Sequence, residues 1–143
     1  MTTLPHWPQR TIAVLSTIDP DPHAIPVSAP VRASDTRILL ALRDSRDSLA
    51  RLRRRPQVAL TVLTEGDVAF TARGSAHVVD EPFCGDYAAV AIDVEHVDDH
   101  RQPAFRVDAG VGREWIDARE QRALGARVRA LAERAESDQL IAR

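Results

Sequence analysis

The chain has 143 residues, 44% of them hydrophobic, and a formal net charge of −2 at pH 7. A chain of this size can bury one core without disulfides or metals, so we expect a single domain over residues 1–143. The near-neutral balance gives no general attraction to nucleic acid or to an anionic membrane, and Cys84, as the one cysteine, excludes an intramolecular disulfide. No stretch is apolar enough for a membrane helix or a secretory signal, so we expect a cytoplasmic protein.

Seven segments have the β-branched and apolar composition of strands and are bounded by turn residues. They are residues 10–19, 23–34, 37–43, 57–64, 68–81, 87–99 and 105–111. Gly66 in the short "EGD" link predicts a hairpin turn. Gly74 lies inside the following strand, which predicts a bulge or a close backbone approach there.

Two helices complete the pattern. Asp44 or Ser45 is a suitable N-cap for a short helix of roughly ten residues that ends before Pro56. Asp117 and Glu120 have capping-box spacing at the start of an amphipathic helix over residues 117–142. Seven closely spaced strands and two helices predict a mainly β (α+β) fold, in which residues 10–116 form a small antiparallel barrel or sandwich and the helices close its ends.

The second strand contains two prolines, Pro26 and Pro30, which remove backbone donors from one side of it. Continuous pairing on that side is therefore not expected, and the strand should lie at a sheet edge or a split. Such a position leaves room for a flat ligand against the backbone. The alternative is a protected edge that only discourages aggregation.

The start of the short helix collects groups that bind anions. Its first turn offers free N–H groups and a partial positive charge, to which Ser45, Arg46 and Ser48 add side-chain donors. A phosphate site is one interpretation. Asp44 and Asp47 argue against it, because both are able to cap the helix themselves and to repel an anion.

The arginines at residues 53–55 belong to the other end of the same helix. Cations in a last turn complement the negative pole of the helix, so we interpret these three as a solvated surface rather than as a nucleic-acid contact.

Other chemistry has little support in the sequence. Cys84 falls in a loop without a helix start that would activate its thiol, and His96 and His100 do not converge as a metal pair would. Tyr87 and Trp115 are more typical of core or interface packing than of a platform for nucleic-acid bases. We therefore predict no metal site and no nucleic-acid partner.

The order of these elements resembles the pyridoxamine 5'-phosphate oxidase-like family of FMN-binding split barrels. The segments "STIDPDPHAIPVSAPV", "RILLALR", "LARLRRRP", "QVALTVL", "EGDVAFTARGSAHVVDE" and "FRVDAGVGREWID" carry the resemblance, over about residues 10 to 116. Its most specific part is the join from helix through proline to strand and the strand that follows, with Leu52, Pro56, Val58, Ala59, Leu60, Gly74 and Ala76.

The resemblance implies a small antiparallel split β-barrel that forms a homodimer with cofactor sites at the interface. Val27, Ser28 and Ala29 would then flank the flavin ring, and Trp115 would approach from the partner subunit. The phosphate would be faced by the end of the third strand and the helix start, at Arg43, Ser45, Arg46 and Ser48.

The functional expectation is an oxidoreductase that uses FMN and acts on a small molecule not identified by the sequence. An 8-hydroxy-5-deazaflavin coenzyme in place of FMN is the nearest variant. The alternative class is a non-catalytic dimeric protein that binds or stores flavin, or a scaffold without a cofactor. The chain lacks the substrate-phosphate residues of the true pyridoxamine phosphate oxidases, so we do not expect that reaction.

Overall fold

The computed structural model describes residues 3–83 and 85–141 of the chain. The predicted inert thiol of Cys84 and the predicted helix end at residue 142 lie outside the described residues. The strands are β1 (Ile12–Thr17), β2 (His23–Ser28), β3 (Val31–Ser34), β4 (Arg37–Arg43), β5 (Gln57–Thr64), β6 (Val68–Phe83) and β7 (Tyr87–Asp99), and the helices are α1 (Asp47–Arg54) and α2 (Ala118–Ile141).

All seven strands form one antiparallel sheet in the order β2-β1-β5-β6-β7-β4-β3. The two edge strands, β2 and β3, follow each other directly in the chain and are joined by Ala29 and Pro30. The sheet is curled so that β2 also contacts β4. This is the predicted small antiparallel split β-barrel with one inserted and one terminal helix.

The prolines do mark a sheet edge, as predicted. Pro26 lies opposite Val14 in the β1–β2 ladder, on a strand that pairs on one side only. The predicted second strand, residues 23–34, is however two strands and not one. Ala29 turns the chain with a φ of 49°, and β3 then pairs with β4 at the opposite edge of the sheet.

The predicted seventh strand, residues 105–111, is not a strand. Its main contact is a single exchange, in which the Asp67 N–H donates to the Val107 carbonyl and the Val107 N–H donates to the Asp67 carboxylate, each at 3.0 Å. Gly110 packs closely on the Thr64 side chain. The segment therefore crosses the end of the β5–β6 hairpin without a ladder, and division of the predicted second strand keeps the strand count at seven.

Gly74 confirms both parts of its prediction. The β6–β7 register shifts between Arg73 and Gly74, and a Cβ on Gly74 would lie 2.0 Å from the Asp93 carbonyl oxygen. The backbones of the two strands approach so closely that no side chain fits between them.

The barrel interior is the main hydrophobic core, and α1 closes one end of it with Leu49 and Leu52, both fully buried. The largest buried side chains also include Leu4, Leu15, Ile38, Leu40, Leu60, Val62, Phe70, Val90 and Ile92. Burial of this apolar surface is the dominant stabilising contribution. It also fixes the position of α1 relative to the end of β4.

The second helix, α2, packs on the outside of the barrel. Its Leu124, Val128 and Ala132 form a separate cluster with Leu39, Phe83, Tyr87, Ala89 and Ala91. Asp117 caps the helix, since the N–H groups of Arg119 and Glu120 donate to its Oδ1 at 3.0 and 3.2 Å, whereas the Glu120 side chain of the predicted capping box bonds Arg43 and Tyr87 instead. Within the described chain, neither helix has the length and apolar character needed to cross a membrane.

Candidate functional site

A cleft opens where the edge strand β2 passes the end of β4. Its volume is about 280 Å³, and we call it the first compartment. It is lined by Ile12, Ile25, Pro26, Val27, Ser28, Ala41, Leu42, Arg43, Arg46, Tyr87, Arg113 and Trp115. The cleft thus lies at the split of the barrel and reaches the start of α1.

A second compartment of about 220 Å³ continues from the first toward α2. The two share Ser28, Ala41, Arg113 and Trp115. The second compartment is completed by Gln9, Arg10, Ala29, Leu124, Gly125, Val128 and Arg129. Together they form one continuous groove along the split.

Six of the eight predicted cofactor-binding residues line this groove. Val27, Ser28, Arg43, Arg46 and Trp115 line the first compartment, and Ala29 lines the second. Trp115 does so from the same chain as β2, so the pocket contains this ring without a partner subunit. Its Nε1 is buried and has no hydrogen-bond partner among the described residues.

Ser45 and Ser48 do not line the groove. Ser45 is exposed, whereas Ser48 is 1% exposed and faces the interior on the first turn of α1. The Ser48 Oγ has no hydrogen-bond partner among the described residues. Neither hydroxyl therefore lines the groove, because Leu49 and Leu52 turn the Ser48 face of α1 into the core, and contact of either serine with a phosphate stays a prediction.

The N-cap of α1 is Arg46, and neither Asp44 nor Ser45 caps the helix as predicted. Arg46 makes no side-chain cap, so the first N–H groups of the helix keep no side-chain acceptor. Asp47 is bonded instead to Arg51 at 2.6 Å, which lowers the pKa of its carboxyl. Arg51 offsets only part of the repulsion expected from Asp47, because it also pairs with Asp21 at 2.9 Å.

Arg43 is already engaged. Its Nη2 lies 2.8 Å from the Glu120 carboxylate of α2, and its guanidinium lies 4.9 Å from the centre of the Tyr87 ring. The Tyr87 hydroxyl donates to the same carboxylate. Burial and this hydrogen bond raise the pKa of Tyr87 to about 12. The guanidinium of Arg43, which was predicted to face a phosphate, is therefore already paired with Glu120.

Sequence reasoning missed Arg113, which lines both compartments. Its guanidinium lies 5.3 Å from the Trp115 ring centre, and its Nη1 is buried without a hydrogen-bond partner among the described residues. Burial, and then the nearby positive charge of Arg10, lower the pKa of Arg113. The signal in the sequence was its position two residues before Trp115, since alternate residues of an extended segment face the same side.

The lining of the two compartments has a marked charge. It comes from Arg10, Arg43, Arg46, Arg113 and Arg129, of which Arg43 is paired with Glu120, and no carboxylate among the described residues lines either compartment. The neighbouring cavity of about 340 Å³ differs, because Glu65 and Asp108 line it. In a chain of net charge −2, the groove along the split is thus a local concentration of positive charge.

The arginines at residues 53–55 form part of the protein surface, as predicted. Arg53 pairs with Glu81, and Arg54 pairs with Asp19 at 3.4 Å. Among the described residues, no group of three or more histidine, cysteine, aspartate or glutamate side chains is placed to hold a metal ion.

The solved structures that resemble this chain identify its fold. A proposed pyridoxamine 5'-phosphate oxidase from Listeria innocua matches with TM-score 0.54 at 15% identity, over 66% of this chain and 91% of that one. An FAD-binding protein from Mesorhizobium loti matches with TM-score 0.51 at 14% identity, over 62% and 83%. An F420 reductase matches with TM-score 0.52 at 13% identity, over 64% and 93%.

The same fold carries a heme binding protein from Mycobacterium smegmatis, which matches with TM-score 0.50 at 15% identity over 62% of this chain and 48% of that one. No protein-family model and no curated protein matches the chain. The chain thus has the pyridoxamine 5'-phosphate oxidase-like split-barrel fold, as its sequence predicted.

Proposed function

We propose that the first compartment of the groove binds a flavin-type cofactor and that the protein is an oxidoreductase acting on a small molecule. The observation that carries the proposal is the first compartment itself, a cleft between the β2 edge and the end of β4 that reaches the start of α1. The FAD-binding and F420 reductase relatives in fold support this class of ligand. When bound, such a cofactor supplies the hydride or electron transfer.

The residues present suit a ring with an anionic tail. Pro26, Val27 and Ser28 offer the backbone of an edge strand to a flat ring, and Trp115 closes the cleft with an unpartnered indole N–H. Arg46 stands at the start of α1, where its charge and the free N–H groups favour an anion. FMN or an 8-hydroxy-5-deazaflavin coenzyme has this combination of ring and charge.

Which of the two cofactors the protein binds can be tested directly. Flavin and deazaflavin differ in their visible spectra, so a spectrum and a mass analysis of the molecule that copurifies identify the cofactor. Titration of the apoprotein with FMN and with riboflavin, which lacks the phosphate, then measures the contribution of the anionic tail. We expect FMN to bind more tightly than riboflavin. Equal affinities would show that the phosphate is not bound at the start of α1.

Arg46→Glu tests the same contact from the protein side. We expect it to weaken FMN binding roughly tenfold or more, because it removes a charge-assisted contact and adds repulsion. Riboflavin should be affected much less. Arg122→Glu, on an exposed position of α2 outside the groove, is the matched control for the change in net charge. An FMN affinity that is unchanged by Arg46→Glu would contradict the placement.

We further propose a homodimer, as the resemblance implies. Apolar side chains on the outer faces of β1 and β5 support a second copy, since Val14 is 40% and Leu63 49% exposed. A colourless, monomeric protein that fails to bind added flavin would favour the alternative, a scaffold without a cofactor. The ion pair between Arg43 and Glu120 supports that alternative, because it occupies an arginine that was predicted to face the phosphate.

Heme is a less suitable ligand for this groove. Its iron takes an axial ligand such as histidine, cysteine, methionine or tyrosine. Among the described residues that line the two compartments, Tyr87 alone is of these types, and its hydroxyl is held by Glu120. A heme Soret band in the purified protein would show that heme, rather than a flavin, is the bound cofactor.

A further inference from the structure

The second compartment has a composition that the flavin proposal does not use. Arg10, Arg113 and Arg129 line it, together with the amide of Gln9. The Arg129 Nη1 lies 3.4 Å from the Gln9 Oε1, so these two side chains meet at the rim of the compartment. Several hydrogen-bond donors thus line the second compartment, together with Trp115.

None of these guanidinium groups has a carboxylate partner among the ion pairs of the described residues. Arg32, Arg37, Arg51, Arg53 and Arg101 are each paired with a carboxylate, so their charges are compensated, whereas among the described residues the charges that line the second compartment are not. Arg113 is the deepest of the three and is held beside the charge of Arg10 although the two repel each other. An anion between them would relieve that repulsion.

The remaining wall is apolar. The compartment is lined on the side of β2, β4 and α2 by Ala29, Ala41, Leu124 and Val128, and it shares Trp115 with the first compartment. A ligand that fits has a small apolar or planar body and a charged end. The fork of an arginine suits the two oxygens of a carboxylate or a phosphate.

We infer that the second compartment binds a small organic acid, with the acid group on Arg10, Arg113 and Arg129 and the body of the molecule along Trp115 toward the first compartment. This deepens the proposed function, because it names the chemical class of the substrate beside the cofactor. Only the role of the acid as a substrate rests on the proposed function, because acid binding itself does not need a flavin.

Calorimetric titration of the protein at low salt tests the inference. The probes are benzoate and phenyl phosphate, which share a small ring and differ in the acid, and neutral benzamide as the matched control. We expect at least one acid to bind and benzamide not to bind. Whether benzoate or phenyl phosphate binds more tightly identifies the preferred acid. Equal binding of benzamide and both acids would overturn the inference.

The arginines are tested with a double variant, Arg10→Gln with Arg129→Gln, whose positions line the second compartment and not the first. We expect it to weaken acid binding roughly tenfold or more and to leave FMN affinity within about twofold. Arg122→Gln, at an exposed position of α2 outside the groove, should change neither. Acid binding that survives the double variant but is lost with Arg46→Gln would overturn the inference, because the acid would then occupy the first compartment.

The two proposals fail separately in this design. Acid binding without any FMN binding keeps the acid site and removes the flavin function. FMN binding without acid binding keeps the flavin function and removes the acid site.

Discussion

Ala29 is the residue at which the barrel splits. Its φ of 49° lies in the left-handed region that favours glycine, and its N–H donates to the Thr11 carbonyl at 3.0 Å, which anchors the turn. The strained residue also lines the second compartment. Strain of this kind is often found beside ligand sites.

We expect Ala29→Gly to change the free energy of unfolding by between zero and about 1 kcal/mol in the stabilising direction, because relief of strain exceeds the added freedom of the unfolded chain. Ala29→Val should destabilise by about 1 kcal/mol or more, since a β-branched residue fits this conformation poorly. Denaturant unfolding measures both. Stability that is lost in the glycine variant and kept in the valine variant would show that the turn is not strained.

Tyr87 is the chain's one tyrosine, so its ionisation can be followed by ultraviolet absorbance without ambiguity. The neutral phenol is favoured in the folded protein, where the pKa is about 12, over the unfolded chain with its ordinary value of 10.0. The unfolded state therefore loses this proton first. The contribution of Tyr87 to stability should be fully present below about pH 10 and should be lost as the pH rises from there toward about 12.

Glu120→Gln should lower the pKa of Tyr87, because the carboxylate no longer accepts its hydrogen bond or repels the phenolate. The same variant frees Arg43, so FMN should bind more tightly to it than to the unchanged protein. Ultraviolet titration and flavin titration measure the two effects. A Tyr87 pKa that does not move would contradict the bond to Glu120.

At the scale of elements, the sequence predicted most of the barrel because alternation and turn residues are local signals. The hairpin β5–β6 and the bulge at Gly74 followed from the residues alone. The break of the second strand did not, because it depends on β3 finding β4 at the far edge of the sheet. The absence of a strand at residues 105–111 likewise depends on tertiary contacts, because this segment meets the β5–β6 turn at Asp67.

Gly74→Ala tests the close approach of β6 and β7. The added Cβ would lie 2.0 Å from the Asp93 carbonyl oxygen, which belongs to the backbone and cannot rotate away. We expect a loss of about 2 kcal/mol or more, or no folded protein. Gly112→Ala is the control, because a Cβ there has no neighbour within 4 Å. Equal melting temperatures of the two variants would contradict the register between β6 and β7.

The candidate site was predictable only in part for the same physical reason. The β2 edge and the α1 start followed from prolines and helix chemistry, whereas Arg10, Arg113 and Arg129 come together from distant parts of the chain. The inward turn of Ser48 depends on how Leu49 and Leu52 pack. The pairing of Arg43 with Glu120 depends on where α2 docks.

At the scale of the whole molecule, the groove combines the barrel split with a helix that packs outside the barrel. Leu124 and Val128 both bury themselves against the sheet and line the second compartment, so α2 is a wall of the groove as well as a cover for the sheet. The proposed dimer would add a further layer over the outer faces of β1 and β5.

Light scattering at micromolar concentration tests the dimer. We expect twice the mass of one chain, and we expect Leu63→Glu to shift the protein toward the monomer, because a charge is placed on the half-exposed apolar face of β5. An unfolding measurement on Leu63→Glu checks that the fold is kept. A monomeric state of the unchanged protein would contradict the proposed homodimer.

Flavin fluorescence titration of the chain and of Ser28→Phe tests whether the groove holds the cofactor. Ser28 lines both compartments, so a phenyl ring there fills the groove at the end of the β2 edge. We expect the unchanged protein to bind FMN and Ser28→Phe, with an unchanged melting temperature, to bind it roughly tenfold more weakly or worse. Equal FMN affinity of the two proteins would contradict binding of the cofactor in the groove.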